Sequence, residues 1–525
     1  MTAPAAPAHP GMVTLTIEGR EVVVAPGTSL LEAAKTVGVL VPHYCYHPSL
    51  PVAGVCRMCL VEVDKFPKLA PACATSVGEG QVVHVHSEKA REARKGVLEF
   101  LLINHPLDCP ICDQSGECEL QDYTFAEGRK DSRYMEPKRF NPMEDFGGDV
   151  LYVPNRCILC TRCVRFMDVV AQDPVLNVSE RGDRAFIGKF EGRDLTHPWA
   201  SNVVDLCPVG ALLSKDFLNK ARAWELDRAA SVCTGCSQGC NVMLETRDNI
   251  VVRIRPRPNA DVNQHFACDV GRLDYRWMNR RDRLEYPLVR GTDGLATTSW
   301  DTAIGVAAAA IRTASRMTIL ASPTLSNEAL FLLSRIALHF NAPAVMTVPR
   351  DIEAPLPGVP DLALRAERVP NHTGAELFGF AEVSSPLADL GEDDLLLVAE
   401  PAPTTAALPA GVRVIVIGSI LDDAWRAAAI AALPICTFAE EDGTFTNLRG
   451  RVQRFLQAKA PPAQARPSHR VIAALAEAVG VGTFPVLASD VFATIASTVP
   501  EFAQLTYRTV GLKGECVSVT AEMTA

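Results

Sequence analysis

Apolar positions recur with period two in some stretches of this chain and with helical period in others, and the changes of period outline its elements. Residues 13–17 and 22–24 alternate as two strands joined at Glu18-Gly19-Arg20, which predicts a hairpin. Ser29 and Glu32 form the S-x-x-E pattern that opens a helix, here running to about Val37. Residues 60–63 and 81–85 alternate as further strands. Together these predict a small β-grasp sheet with the segment from Cys45 to Cys59 looped beside it. Ser87 stands where it would cap a second helix, from Glu88 to about Asn104. Ala90, Ala93, Val97, Leu98, Leu101 and Leu102 give that helix its apolar face, and His105 lies at its C-terminal end.

After about Asp293 the texture changes. Ser299 is placed to cap a helix through Ile311, and residues 327–340 read as another. Residues 317–320 and 344–348 read as strands, and 395–399 and 413–417 are short apolar runs rich in β-branched residues. Strands alternating with helices predict βαβ units and a parallel sheet. The Pro/Ala-rich stretch 460–467 reads as a linker before a last helix near residues 470–479. Residues 1–11 read as a disordered tail with no secretory signal pattern. No apolar run approaches the roughly 18–20 residues of a membrane helix, so any membrane association is expected through partners.

Composition narrows the function classes. With 525 residues the chain has room for several domains, and its 51 basic and 61 acidic residues leave a net charge of −10. That balance argues against nucleic acid as a partner.

The decisive feature is cysteine. Fifteen of the 17 lie in the first 268 residues, in four tight groups. Cys45, Cys56, Cys59 and Cys73 form the first. His105, Cys109, Cys112 and Cys118 form the second, Cys157, Cys160, Cys163 and a remote Cys207-Pro208 the third, and Cys233, Cys236, Cys240 and Cys268 the fourth. C-x2-C spacing suits a shared metal centre better than disulfides, which a chain of this size does not need. Four donors is the number one iron–sulfur cluster takes from a protein.

The first set, in the grasp-like unit, suits a [2Fe–2S] cluster, with Gly54 relaxing the backbone that wraps it. The third, C-x2-C-x2-C with a remote C-P, is the bacterial ferredoxin pattern for [4Fe–4S], and no second such run accompanies Cys207. The fourth is also [4Fe–4S]-like. Zinc would use the same ligands in the first and fourth sets. Spacing leaves His105 either an iron ligand or the polar end of a helix hydrogen-bonded to its last carbonyls. Cys436, in an apolar run, reads as a small buried hydrophobe, and Cys516 has no partner in sequence. Arg57, Arg162 and Arg165 flank ligands, where they would either raise potentials or act as surface charges or partner contacts.

These residues resemble a known family. Pro42-His43-Tyr44-Cys45, Gly54-Val55-Cys56-Arg57-Met58-Cys59, Asn104-His105-Pro106-Leu107-Asp108-Cys109-Pro110-Ile111-Cys112-Asp113 and Gly116-Glu117-Cys118-Glu119-Leu120-Gln121-Asp122 carry the likeness. So do Arg156-Cys157-Ile158-Leu159-Cys160-Thr161-Arg162-Cys163-Val164-Arg165-Phe166 and Val204-Asp205-Leu206-Cys207-Pro208-Val209-Gly210-Ala211-Leu212. Over residues 12 to about 290 the chain resembles the large iron–sulfur subunits, the bacterial G subunits, of respiratory NADH:quinone oxidoreductase (complex I).

The resemblance implies one [2Fe–2S] and three [4Fe–4S] clusters, with His105 as a ligand. It implies an electron-transfer subunit that receives electrons from a flavin/NADH-binding partner and passes them towards quinone, on the cytoplasmic side of the plasma membrane. This chain is not expected to bind NADH or flavin.

Asn371-x2-Gly374-Ala375-x3-Gly379 and the run from Glu440 to Gln453 resemble the molybdopterin oxidoreductase fold. Only 257 residues remain from Asp269, few for a pterin-enclosing enzyme, so no molybdopterin is expected, and Gly374, Gly379 and Gly443 are read as turn residues. The rivals are an NAD-linked molybdenum formate dehydrogenase, the small diaphorase subunit of an NAD-reducing hydrogenase, and a zinc scaffold.

The expected fold is thus α+β ferredoxin-like (β-grasp) and iron–sulfur domains followed by a doubly wound α/β remnant of the molybdopterin oxidoreductase fold. The expected divisions are a tail at 1–11, a [2Fe–2S] domain at 12–86, [4Fe–4S] domains at 87–145, 146–225 and 226–292, and the α/β remnant at 293–525.

Overall fold

The computed structural model describes residues 11–388, 390–400, 408–409 and 411–518, so all but the last residue of the expected N-terminal tail lies outside the described residues. The chain forms two compact units, residues 1–225 with 356–360 and residues 226–355 with 361–525.

The first unit opens on the predicted hairpin, Val13–Ile17 paired with Arg20–Val24. Glu18 and Gly19 take φ of 47° and 72°, the double positive φ of the turn that matches strand twist. The hairpin extends into a five-stranded sheet in the order Arg20–Val24, Val13–Ile17, Val82–His84, Leu60–Val63, Ala70–Pro71. Leu30, Leu31, Ala33 and Ala34 of the helix Leu30–Thr36 cover it and build its core with Leu15, Ile17, Val61 and Val83. Ser29 Oγ accepts from Glu32 N at 3.2 Å as predicted, while the Glu32 carboxylate accepts from Tyr46 Oη at 3.0 Å in the adjoining cysteine loop.

Ser87 caps the helix Glu88–Leu102. Ala90 and Leu98 of its predicted apolar face are buried, but so is Arg94, at 0% exposure. Arg94 Nε donates to Glu127 at 3.1 Å and Nη2 to the Val85 carbonyl at 2.9 Å, the pairing a buried cation requires. Short elements carry the rest of the unit: the helices Glu119–Glu127, Arg162–Arg165 and Asn202–Leu206, and a three-stranded sheet of Leu212–Ser214, Val150–Tyr152 and Glu144–Gly147.

The second unit pairs a three-stranded antiparallel sheet, Asp227–Val232, Asn241–Arg247 and Ile250–Pro256, with an eight-stranded sheet. Around Met317–Ala321 the large sheet is parallel, to Ala344–Met346 on one side and to Leu395–Ala399, Arg413–Gly418 and Ala429–Pro434 on the other. Leu395 and Leu397 face a core shared with the helices Trp300–Thr313, Asn327–Phe340 and Ser468–Ala478. Leu396 and Val398 face a second core with Trp425 of the short helix Asp423–Ala428. Burial on both faces explains why these strands read as unbroken apolar runs.

Three expectations need correction here. The helix at Ser468–Ala478 is not the last, because Ala488–Thr498 and Tyr507–Val510 follow it. The Pro/Ala-rich stretch before it is a packed connector, with Gln464 O accepting from Trp300 Nε1 at 3.2 Å and Arg466 bridged to Ile435. Of the three glycines read as turn residues, only Gly379 has a positive φ. At Gly374 a Cβ would lie 2.1 Å from Asn371 Oδ1 and 2.4 Å from Asn327 Oδ1, and at Gly443 one would lie 2.6 Å from the Phe455 ring.

Those glycines make room for a buried polar network. Asn327 Nδ2 donates to Thr444 and Thr446 Oγ1 at 3.0 Å, and Thr446 N donates to Asn371 Oδ1 at 2.7 Å. Gly374→Ala is expected to destabilise this unit by about 1–3 kcal/mol through overpacking. Gly305→Ala, exposed within a helix and with no atom within 4 Å of its Cβ position, should stabilise it by about 0.5–1 kcal/mol. Chemical denaturation of the two variants should therefore give midpoint shifts of opposite sign.

Candidate metal centres

Three of the four predicted ligand sets lie in the first unit. Cys59 precedes the strand Leu60–Val63 and Cys73 follows Ala70–Pro71, so the antiparallel pairing of those strands brings the two thiols together, Sγ to Sγ at 3.4 Å. Cys45 N lies 3.5 Å from Cys56 Sγ across the loop. Gly54 (φ 64°) and Arg57 (φ 59°) both take the left-handed turn that wraps the chain around this point. Hydrogen bonds from Cys56 and Cys73 hold the Cys45 thiol far below its usual range, and a bond with Cys73 brings Cys59 down to about 7. The same bonds push Cys56 and Cys73 up, so these sulfurs share protons that a metal would displace on binding them as thiolates.

In the second set, Cys109 starts a short helical turn at Cys109–Ile111 and is exposed, while Cys112 and Cys118 are buried. Burial pushes the Cys118 thiol up to about 11. His105 is held down to about 4 by burial and by the Arg156 charge, which also neighbours Cys112. Its imidazole is therefore neutral, and the buried Nδ1 has no hydrogen-bond partner. A neutral imidazole with an unpaired buried ring nitrogen, four residues before Cys109, has the chemistry of a metal ligand, so this donor set fits a cluster.

Gly210 closes this site from the Cys207 loop, and a Cβ there would lie 2.2 Å from Cys112 Sγ. Arg222, which the sequence reading passed over, donates to the carbonyls of Cys112 at 3.0 Å and Cys109 at 2.8 Å.

Cys157, Cys160, Cys163 and Cys207 line one small cavity of about 20 Å³ in the same unit. Burial pushes their thiols up, Cys157 to about 11 and Cys160 to about 12. Leu159 (φ 53°) and Thr161 (φ 60°) take the left-handed conformation between the cysteines, a strained backbone for side-chain-bearing residues and invisible in their identity.

The fourth set lies in the second unit. All four of its cysteines are buried, and Cys233 N donates to Cys240 O at 2.8 Å. Cys268 opens the helix Asp269–Leu273, whose Gly271 N donates to Cys268 Sγ at 3.4 Å. A Cβ at Gly271 would lie 2.5 Å from Cys233 Sγ. The loop is bolted to the strands Gly443–Thr446 and Arg451–Phe455. Gln453 Nε2 donates to Gly239 O at 2.8 Å, and Leu448 N to Ser237 O at 2.9 Å.

Among the described residues no group of three or more His, Cys, Asp or Glu side chains is arranged to hold a single metal ion. A cluster several atoms across spaces its ligands more widely than one ion does. Of the two remaining cysteines, Cys436 is buried as expected and Cys516 is exposed.

Five family descriptions match along the chain. They are a 2Fe-2S iron-sulfur cluster binding domain at 11–88, the NADH-ubiquinone oxidoreductase-G iron-sulfur binding region at 94–133, and the ferredoxin-like domain of NADH-quinone oxidoreductase subunit 3 at 147–213. The molybdopterin oxidoreductase Fe4S4 domain matches 227–280, and molybdopterin oxidoreductase 390–478. The chain is similar to the G subunit of NADH-quinone oxidoreductase.

To that subunit from Rickettsia bellii it is 40% identical over 324 residues, 61% of this chain and 47% of the relative. To the mitochondrial NADH-ubiquinone oxidoreductase 78 kDa subunit of Candida albicans it is 44% identical over 300 residues, 57% of this chain and 42% of the relative. The chain thus matches less than half the length of these curated relatives. A chain of an NAD+-reducing [NiFe]-hydrogenase, 28% identical, aligns over 40% of this chain and 90% of its own at a TM-score of 0.35, too low to carry an argument. No helix among the described residues is long and apolar enough to cross a membrane.

Gly210→Ala tests the second site directly. The added methyl should exclude metal there and remove about four irons per chain, while the other three sites keep theirs. Iron and sulfide analysis reads the loss, and an unchanged iron content would mean that Cys112 does not ligate.

Proposed function

We propose that the chain is an electron-carrying subunit of an NADH:quinone oxidoreductase of the complex I type. The observation that supports this reading is the presence of four sulfur-rich donor sets in which most of the cysteines are buried. Cys45, Cys56, Cys59 and Cys73 would hold a [2Fe–2S] cluster. His105 with Cys109, Cys112 and Cys118, Cys157 with Cys160, Cys163 and Cys207, and Cys233 with Cys236, Cys240 and Cys268 would each hold a [4Fe–4S] cluster. Such clusters accept and release single electrons. The protein's part is to hold the ligands as thiolates, exclude water and set the local charge.

In this reading the partners are a flavin- and NADH-binding subunit and the other peripheral subunits, and the chain itself takes neither NADH nor flavin. It sits on the cytoplasmic face of the membrane and reaches the membrane only through partners. Residues 12–86, 87–145, 146–225 and 226–292 serve as the four cluster-bearing segments. Residues 293–525 serve as a platform, which is supported by the bonds from Gln453 and Leu448 to the fourth cysteine loop.

One observation favours a second reading, a molybdenum-dependent enzyme. A cavity of about 800 Å³ in the second unit, lined by Trp277, Ser322, Arg368, Glu400, Trp425 and Glu441, lies at the carboxyl ends of the strands Met317–Ala321 and Leu395–Ala399. Open α/β sheets bind ligands at such ends. Stoichiometric molybdenum in the purified chain would select this reading; its absence, with iron present, selects the first.

The first reading predicts about 14 irons per chain, and low-temperature EPR of the reduced protein should resolve more than one kind of centre. His105→Ala should lose or distort one four-iron centre and spare the others. His105→Cys should retain it at a lower potential, because a thiolate adds negative charge. Unchanged spectra and iron content in His105→Ala would remove the histidine from the ligand set.

A further inference from the structure

Two arginines of one short helix reach all three ligand sets of the first unit. The helix Arg162–Arg165 follows the left-handed Thr161, and its end residues are three apart, so they share a face. Arg162 is 5% exposed. Its Nη2 donates to Tyr46 O, next to Cys45, at 2.7 Å, and its Nη1 to Leu206 O, next to Cys207, at 3.3 Å. The same nitrogen lies 3.4 Å from the carboxylate of Glu119, next to Cys118.

Arg165 makes the more direct link. Its Nη2 donates to the carbonyl of Cys45 at 2.5 Å and to that of Cys160 at 3.2 Å, and its Nη1 donates to Pro51 O. Cys45 belongs to the first set and Cys160 to the third. One half-buried guanidinium thus bonds the backbone of a ligand from each. Only a planar fork with several donors can do this; an ammonium is a point charge.

A reduced cluster with thiolate ligands carries more negative charge than an oxidised one. A fixed cation bonded to ligand backbone from two sites, partly out of water, therefore favours the reduced form at both. We propose that Arg165, steadied by Arg162, is a positioning residue that sets the reduction potentials of the first and third centres together. The inference deepens the iron–sulfur reading and rests on it. Arg57 makes the contrast: it also neighbours ligands, but it is exposed, and water screens its charge.

The test is a redox titration of the full chain with its clusters in place, followed by low-temperature EPR, comparing wild type with Arg165→Gln, Arg165→Lys and a change of the exposed Lys68, Lys68→Gln. Arg165→Gln should move the midpoints of the [2Fe–2S] signal and of one [4Fe–4S] signal down together. At a fixed potential the reduced-to-oxidised ratio should fall several-fold at both, where tenfold corresponds to about 59 mV for one electron. Arg165→Lys should shift both by less, and Lys68→Gln should leave both within about twofold.

If Arg165→Gln loses both centres, Arg165→Lys decides: both midpoints lowered uphold the proposal, and either one unchanged overturns it. If both variants lose them equally, Arg165 only packs the loops and the proposal fails. It fails equally if the clusters are present in Arg165→Gln and neither midpoint moves, or only one does. A wild-type chain with no iron–sulfur signal would instead sink the underlying reading.

Discussion

A thiolate taken out of water needs compensating charge or hydrogen bonds, and this constraint governs the first unit. Burial alone drives the thiols of the third set upwards, towards the neutral form that does not bind iron. Backbone amides and the Arg162 charge oppose it in part, and further arginines stand by the second set. Arg156 pairs with Asp108 and neighbours both His105 and Cys112, Arg222 bonds the carbonyls of Cys109 and Cys112, and Arg162 and Arg165 bond the chain beside Cys45, Cys160 and Cys207. Each of these cations is stationed on the backbone of a ligand loop. A guanidinium that ties two loops together also fixes their spacing, so charge and shape are set by the same contacts.

The second constraint is steric. Ligand loops must bend inward within two or three residues, and the backbone does this through left-handed positions at Gly54, Arg57, Leu159, Thr161 and Gly239. Space for sulfur is then kept by glycines that approach from other loops, Gly210 at Cys112 and Gly271 at Cys233. Both carry ordinary φ values, so it is their missing Cβ that serves the site.

In the second unit the same logic appears without metal. Asn327, Asn371, Thr444 and Thr446 satisfy one another in a buried network for which Gly374 leaves room, and Glu328 accepts from Thr444 N at 3.0 Å and Tyr507 Oη at 2.9 Å. This network locks the strand Gly443–Thr446, and the following turn and strand reach the fourth cysteine loop through Leu448 and Gln453. Residues that resemble a cofactor-binding signature thus have a structural task in holding a ligand loop still.

Much was legible in the amino-acid order because it is local. Cysteine spacing grouped the donors, serine caps placed helices starting at Leu30, Glu88 and Trp300, and short apolar runs marked residues 395–399 and 413–417 as strands. The strand Ala429–Pro434 escaped notice because its alanines suit a helix as well, and sheet pairing overrides that preference. The burial of Arg94 was not legible because it depends on Glu127, 33 residues away. His105 stayed ambiguous by spacing, and its unpaired Nδ1 appeared only once the surrounding loops were in place. The sequence by itself determined which donors exist and how they are grouped, since ligation begins with short-range spacing. Tertiary structure alone decided which cations face them, which glycines make room, and that Cys45 and Cys160, 115 residues apart by their numbers, share one arginine, because those are contacts between segments that no local pattern encodes.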